Sequence, residues 1–434
     1  MDSFSSQVVS QISTAAQATA PAVGVGVLGS QVAIGGSSET LASSTNAIHL
    51  QLLLRYIDAG YPPNVESFFD LTSKNALSND SSAIPEPFLF LKIGNLSEYQ
   101  STWYRFGKYK LSVNFLTNCG TAVITCFLYL VISGILTLVK NNVKPKAAWF
   151  DGILYRFKWN LILSCVTSNH SKLVLAWFLQ YSEAKFDIFG IINLVISVFS
   201  LLGVITLTLF SINHTRWSWK ITRDRLFLSK AALEAAEPSQ KQFAFITNDY
   251  VTENSVGRYC FILSFTKVLM MVTIIFWLPQ SPIAQAYLLL FVSILFLLIL
   301  VIGKPYKTLD KQLAVVINEI IMLGQEVIVA IFATNREMKF LSLDQGMLFG
   351  WVFIVLIVLS LVVNTIFPII IILRSLVASW RNKKNKSKAM RVKVKQRGIE
   401  IPNCTQKGRR VKRSSRGHEK GSRIFNDSRS RLKP

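Results

Sequence analysis

The chain is 434 residues long, 51% hydrophobic and only 16% charged, against about 25% charged in a typical soluble domain. Its net charge of +23 first suggests nucleic acid, but Arg381 to Pro434 holds twenty Lys or Arg against Glu400, Glu419 and Asp427, leaving +6 elsewhere. An ordinary soluble globule is therefore excluded, and a nucleic-acid partner is not expected, because the basic signal belongs to a tail.

The charges lie between long uncharged runs: Leu111 to Val139, Ile188 to Thr215, Val268 to Gly303 and Gln345 to Leu373. A hydrocarbon core roughly 30 Å thick needs about 20 apolar residues in a helix, and each run is long enough. Cys119, Cys126, Cys165, Cys260 and Cys404 lack paired spacing, and the four histidines are isolated. Neither a disulfide framework nor a metal site is expected, and no cofactor is implied. Met1-Asp2-Ser3-Phe4 lacks the charged and apolar regions of a signal peptide.

Residues 1–110 form an extracytosolic lead. Ser3 to Ser38 is uncharged and rich in small residues, which fits either a closely packed span or a weakly apolar linker. Asn46 to Gly60 carries Leu50, Leu52, Leu53, Leu54 and Ile57, interrupted by Arg55 and Asp58. It reads as an interfacial helix or a poor span, ended by Tyr61-Pro62-Pro63 because proline disfavours helical geometry in the residue before it. Ser73 to Pro87 is a polar loop, and Asn79 and Asn95 begin candidate glycosylation sequons.

Residues 111–373 make the membrane domain. The first strong span lies within Asn114 to Val139. Trp159 to Tyr181 is apolar but holds Asn160, His170 and Lys172, so it reads as a span with a polar face or as a surface helix. Further spans are expected at Ile188 to Ile212, Tyr259 to Leu278, Ile283 to Ile302, Leu313 to Ala333 and Met347 to Leu373, the last with Pro368 inside it. Pro279-Gln280-Ser281-Pro282 permits only a tight hairpin. The expected class is all-α, a polytopic bundle of seven to nine spans followed by a disordered basic tail over residues 374–434.

Lys and Arg set the orientation. The Lys140 to Lys158 loop, the Asn213 to Arg258 loop, the Lys304 to Lys311 turn and the tail are the basic connections, and they alternate with basic-poor turns. All four fall on one side if Trp159 to Tyr181 crosses. The C-terminus is then cytosolic and Tyr61 to Lys110 lies outside.

Ionisable groups inside spans are costly, roughly 2.5–3.5 kcal/mol at the helix centre on insertion scales. Lys267 lies inside one such span. Glu319 and Glu326 are seven residues apart in another, close to two helical turns, and Asn318 and Gln325 repeat that spacing. This polar strip reads either as a cation site or permeation lining, or as internal glue in which Lys267 pairs with one glutamate. Asn193, Gln285 and Asn364 read as helix-packing hydrogen-bonders, and Trp217-Ser218-Trp219 as an interfacial anchor. His170 and Lys172 either line a cavity or face water at the interface. No Gly-rich phosphate loop, His-Glu-x-x-His or serine elbow occurs, so no enzyme is expected. In the tail, Arg381, Lys383, Lys384, Lys386 and Lys388 are placed to contact anionic lipid headgroups, at roughly 1 kcal/mol each.

Several short segments together resemble the TRP-like membrane domain of fungal flavin-carrier and polycystin-related proteins, found also in large ciliate membrane proteins. They are Leu52 to Gly60, Tyr61-Pro62-Pro63-Asn64-Val65, the Pro279 to Gln285 hairpin, and Gly303-Lys304-Pro305-Tyr306-Lys307 followed by Leu309-Asp310 and Asn318-Glu319. Order and spacing over Ala15 to Leu373 carry the likeness. The resemblance implies nine spans and a calcium-permeable channel or lipid-linked transport; a homo-oligomer is among the partners expected. The upstream ectodomain common in that family is missing here, so a truncated or divergent copy is expected, and the region of Ser168 and Lys172 is less acidic than in the family. The expected function is a cation channel or channel subunit; the alternatives are a non-conducting receptor remnant or scaffold, and a lipid or small-molecule transporter.

Overall fold

In the computed structural model, residues 47–76, 104–109, 111–143, 160–223 and 254–396 are described, together with 101, 150, 154, 250 and 251. Long uncharged runs leave the backbone no partner but itself, so they close into helices. In chain order these are α1 (Pro63–Ala76), α2 (Tyr104–Lys108), α3 (Phe115–Val143), α4 (Leu161–Ser168), α5 (His170–Ser182), α6 (Ile188–Arg223), α7 (Ser255–Trp277), α8 (Pro282–Gly303), α9 (Leu309–Met338) and α10 (Leu343–Gln396). Among the described residues there is no strand beyond one isolated bridge between Tyr250 and Tyr306. Among the described residues, six helices are long and apolar enough to cross a membrane: those holding Ala122–Asn142, Ile188–Ile221, Ser255–Trp277, Pro282–Gly303, Leu309–Met338 and Leu343–Asn364. The chain is a multi-pass membrane protein.

Local chemistry fixes the helix ends. The Asn254 side chain accepts from the Val256 amide at 3.1 Å and starts α7. Pro282 occupies the first turn of α8, where its missing N–H costs nothing. Lys304 and Lys339, at φ 39° and 51°, end α8 and α9 in the left-handed region.

α4 and α5 meet at Asn169, but the helical ladder continues across it: the Asn169 amide donates to Cys165 O at 3.2 Å and the Leu173 amide to Asn169 O at 2.9 Å. Leu161 to Ser182 thus runs about 33 Å at 1.5 Å per residue. It packs against α3, α6 and α7. Only the irregularity at Asn169 divides a helix long enough to run the length of the bundle.

α10 continues to Gln396, through the basic stretch from Arg381 to Lys395 where the sequence reading expects disorder. The correction has a simple cause. No glycine or proline stands between Pro368 and Gly398, and Arg, Lys, Ala and Met are strong helix formers. The chain divides into two compact units at Val377 and Ala378; residues 397–434 lie outside the described residues.

The lead enters the bundle. Residues 47–52 are helical and continue into a 3-10 turn over Leu53–Tyr56. Gln51, Leu53, Leu54, Arg55, Ile57 and Ala59 are all buried. Asn64 Nδ2 donates to Met347 O at 3.0 Å near the start of α10, and Gln51 Nε2 donates to Ser360 Oγ at 2.6 Å, thirteen residues further along that helix. The segment therefore descends about 20 Å beside α10. Its side chains from Leu50 to Ile57 are buried against the bundle. Gly60 makes the turn at φ 68°, with the Arg336 side chain 3.2 Å from where a Cβ would stand.

Ion pairs close the same end. Arg105 bridges Asp58 and Glu66, Lys108 pairs with Glu66, and Arg336 from the end of α9 holds Asp58 Oδ2 at 2.5 Å. Burial raises the Asp58 pKa, but the hydrogen bonds and charges of Arg105, then Arg336, outweigh it and hold the carboxyl below its usual value. A depressed native pKa gives stability that is complete above the unfolded value and is lost as pH falls through the native one. Asp58→Asn should accordingly melt below the parent at pH 6, and the gap should close as the pH drops below about 4. Melting curves across that range test this; a gap independent of pH would refute it.

Lipid-facing surface is plain on the outer faces, where Phe127, Phe199, Phe291, Leu298, Leu348 and Val355 are exposed. Such patches are foreign to a soluble monomer. At the opposite end of the bundle Arg216 Nε donates to Tyr259 Oη at 3.3 Å, and Arg374 pairs with Asp310. There the Trp219 ring faces Arg223 and Arg258 at 4.7 and 4.1 Å, in keeping with an interfacial anchor.

Candidate functional site

Three helices bring their mid-points together. Lys267 lies twelve residues into α7, Ser293 eleven into α8, and Glu319 and Glu326 straddle the middle of α9. Lys267 Nζ donates to Glu319 Oε2, lies 3.9 Å from Met322 Sδ, and sits 5.0 Å from the centroid of the Phe296 ring. Glu326 is 1% exposed; its Oε1 accepts from Ser293 Oγ at 2.8 Å and its Oε2 has no partner in the protein. Two carboxylates thus share a neighbourhood with one ammonium. One is paired, and the other keeps an oxygen whose hydrogen-bonding capacity is unmet, a condition rare for buried polar atoms.

Asn318 and Gln325 do not extend this face. They point from α9 toward α10 and the lead, because successive residues on a helix diverge by about 100°. Asn318 and Asn364 exchange reciprocal amide bonds at 2.8 and 3.0 Å, and Asn364 also donates to Ser360 O and Oγ. With Gln51 on Ser360, the amides form a chain from the lead to α9. Both side-chain polar atoms of Gln325, fully buried one further step along, have no partner. The single strip expected from the spacing is therefore two: a charged face toward α7 and α8, and an amide face toward α10 and the lead.

Two other polar residues of the spans bond across helices. Asn193 Oδ1 accepts from the Leu116 amide and Gln285 Nε2 donates to Ile275 O, at 2.9 and 2.8 Å. Their roles were legible in the sequence. Arg55 was not. It is fully buried between the Tyr56 and Tyr109 rings at 4.8 and 5.0 Å, donates from Nη2 to Tyr56 Oη at 2.6 Å, and leaves Nε and Nη1 without partners. An arginine inside the Leu50 to Ile57 run was the available signal. Asn79 and Asn95 lie outside the described residues; Arg381, Lys383, Lys384, Lys386 and Lys388 lie on the helical continuation of α10.

No protein family, curated protein or solved structure matches this chain.

Proposed function

We propose that the chain is a cation channel or channel subunit of the TRP-like class, with its pathway beside Glu326. The observation that carries this reading is a buried carboxyl at the middle of the bundle with one oxygen unpartnered, next to a lysine already paired with Glu319. A carboxylate oxygen is the ligand that hard cations prefer, and an intramembrane ionisable group defaults to a functional role. Lys267 neutralises Glu319 and leaves Glu326 as the group facing the cation.

In this reading the α4–α5 helix is a seventh crossing, the basic connections and the end of α10 are cytosolic, and the lead plugs the outer half of the bundle. The nine spans of the resemblance would need two further crossings from residues 1–46. Anionic lipid headgroups hold the basic continuation of α10 on the cytosolic side.

Whole-cell or reconstituted cation currents test the proposal. Glu326→Gln retains the shape and the Ser293 bond, and should cut conductance about tenfold, the effect of about 1.4 kcal/mol of lost cation attraction. Currents unchanged by Glu319→Gln and Glu326→Gln together, at matched surface expression, would overturn it.

A further inference from the structure

A cavity lies away from the charged cluster, between α5, α6 and α7, with a volume of about 430 Å³. His170, Val174, Trp177, Phe178 and Tyr181 on α5, Leu201 to Leu209 on α6, and Ile262 to Leu269 on α7 form its walls. Val204 and Trp177 are buried at its floor, whereas Ile205, Leu209 and Leu269 are about half exposed at its rim. α6 and α7 are both candidate spans. The cleft accordingly opens sideways, between lipid-facing residues, rather than toward either end of the bundle.

The two threonine hydroxyls in its lining bond back into their own helices. Thr208 Oγ1 donates to Val204 O at 2.8 Å and Thr266 Oγ1 to Ile262 O at 3.0 Å, each back into its own helix. The His170 ring stacks on Phe265 with centroids 3.9 Å apart, and its Nε2 lies 3.2 Å from Phe265 O. What remains for an occupant is mostly carbon, with His170 Nδ1 and Trp177 Nε1 buried and without a partner in the protein.

Size narrows the occupant further. On α6 and α7 the lining covers eight or nine residues, a little over two turns. A helix of 10–12 Å diameter fills roughly 400–600 Å³ in each turn, so two turns of a neighbouring helix would need about two to three times the space available. A single slender chain fits.

We propose that this cleft is a binding site for one acyl chain of a membrane phospholipid, which enters laterally from the bilayer between Ile205 and Leu269. It is separate from the Glu326 centre and does not depend on the channel reading. Seated there, the chain completes the packing of α6 against α5 and α7 and couples their spacing to lipid.

The test uses the full-length protein reconstituted with phosphatidylcholine carrying a diazirine in one acyl chain, photolysed and then mapped by mass spectrometry. Adducts should concentrate on residues 201–209 and 262–269, above the level at Leu298, a lipid-facing residue of α8. Val204→Trp fills the cleft and should lower cleft adducts about tenfold relative to Leu298, the loss expected when two buried methylenes are displaced. Ile205→Trp, at the exposed rim, should do the same and keeps the test open if the buried substitution fails to fold. Cleft labelling no greater than at Leu298, labelling indifferent to Ile205→Trp, or displacement by a sterol at levels where added phospholipid does not compete would each overturn the proposal.

Discussion

Lys267→Met is expected to destabilise the protein by about 3–5 kcal/mol, the usual result of removing one partner from a buried ion pair. The lysine side chain is 4% exposed and that of Glu319 14%, so water cannot take over the lost contact. Glu326 makes the loss worse, because it lies on the same face of α9 and already keeps one oxygen unpartnered. Methionine is close to lysine in volume and sits well beside Met322 and Phe296, so cavity formation contributes little. The cost is electrostatic, and it should therefore be reversible by chemistry rather than by volume. Adding Glu319→Gln to Lys267→Met removes the orphaned charge and should return most of the stability, with a coupling energy of about 0.5–3 kcal/mol. Thermal unfolding of the purified protein in mild detergent reads all three variants. A Lys267→Met protein that melts with the parent would show that the pair contributes nothing, and would leave Lys267 free to serve the pathway directly.

That experiment also bears on how the site was written in the sequence. Spacing alone put Glu319, Glu326, Asn318 and Gln325 on one side of α9, and a seven-residue repeat does keep each pair on its own row. It could not say that the two rows, one residue apart, face different neighbours. That depends on where α7, α8, α10 and the lead stand around α9, and tertiary placement leaves no local signature. The spans were legible because lipid allows little besides uncharged helices. The α4–α5 helix was legible only in part: Asn160, His170 and Lys172 left a span and a surface helix both open, and nothing local showed that His170 packs on Phe265. The lead was the hardest to read. Arg55 and Asp58 argue against burial in any window of sequence, yet the Tyr56 and Tyr109 rings enclose the first, and Arg105 with Arg336 neutralises the second. In the continuation of α10, composition suggested disorder and overrode propensity, whereas the backbone follows propensity.

Tyr61→Ala should have a comparably large effect, about 3–5 kcal/mol, because truncating a buried aromatic loses its transfer energy and leaves a cavity. Tyr61 is 7% exposed, and its ring meets Phe69, Phe332 and Phe353 at centroid distances of 5.2, 5.9 and 6.1 Å. One residue thus ties α1, α9 and α10 together at the mouth through which the lead descends. Its hydroxyl donates to Leu54 O at 2.6 Å and pins the 3-10 turn that precedes it. Tyr61→Phe removes only that bond and should cost about 1 kcal/mol. The contrast between the two variants separates ring packing from hydrogen bonding. If the anchor is local, Tyr61→Ala should loosen the lead before the bundle itself melts. Ile57, fully buried below the turn, provides the reporter: a cysteine there should react with a membrane-impermeant maleimide in the Tyr61→Ala background and stay protected in the parent, while helix content is unchanged. Equal protection in both backgrounds, with equal melting, would mean that the lead is held by Asp58 and its two arginines rather than by the aromatic cluster.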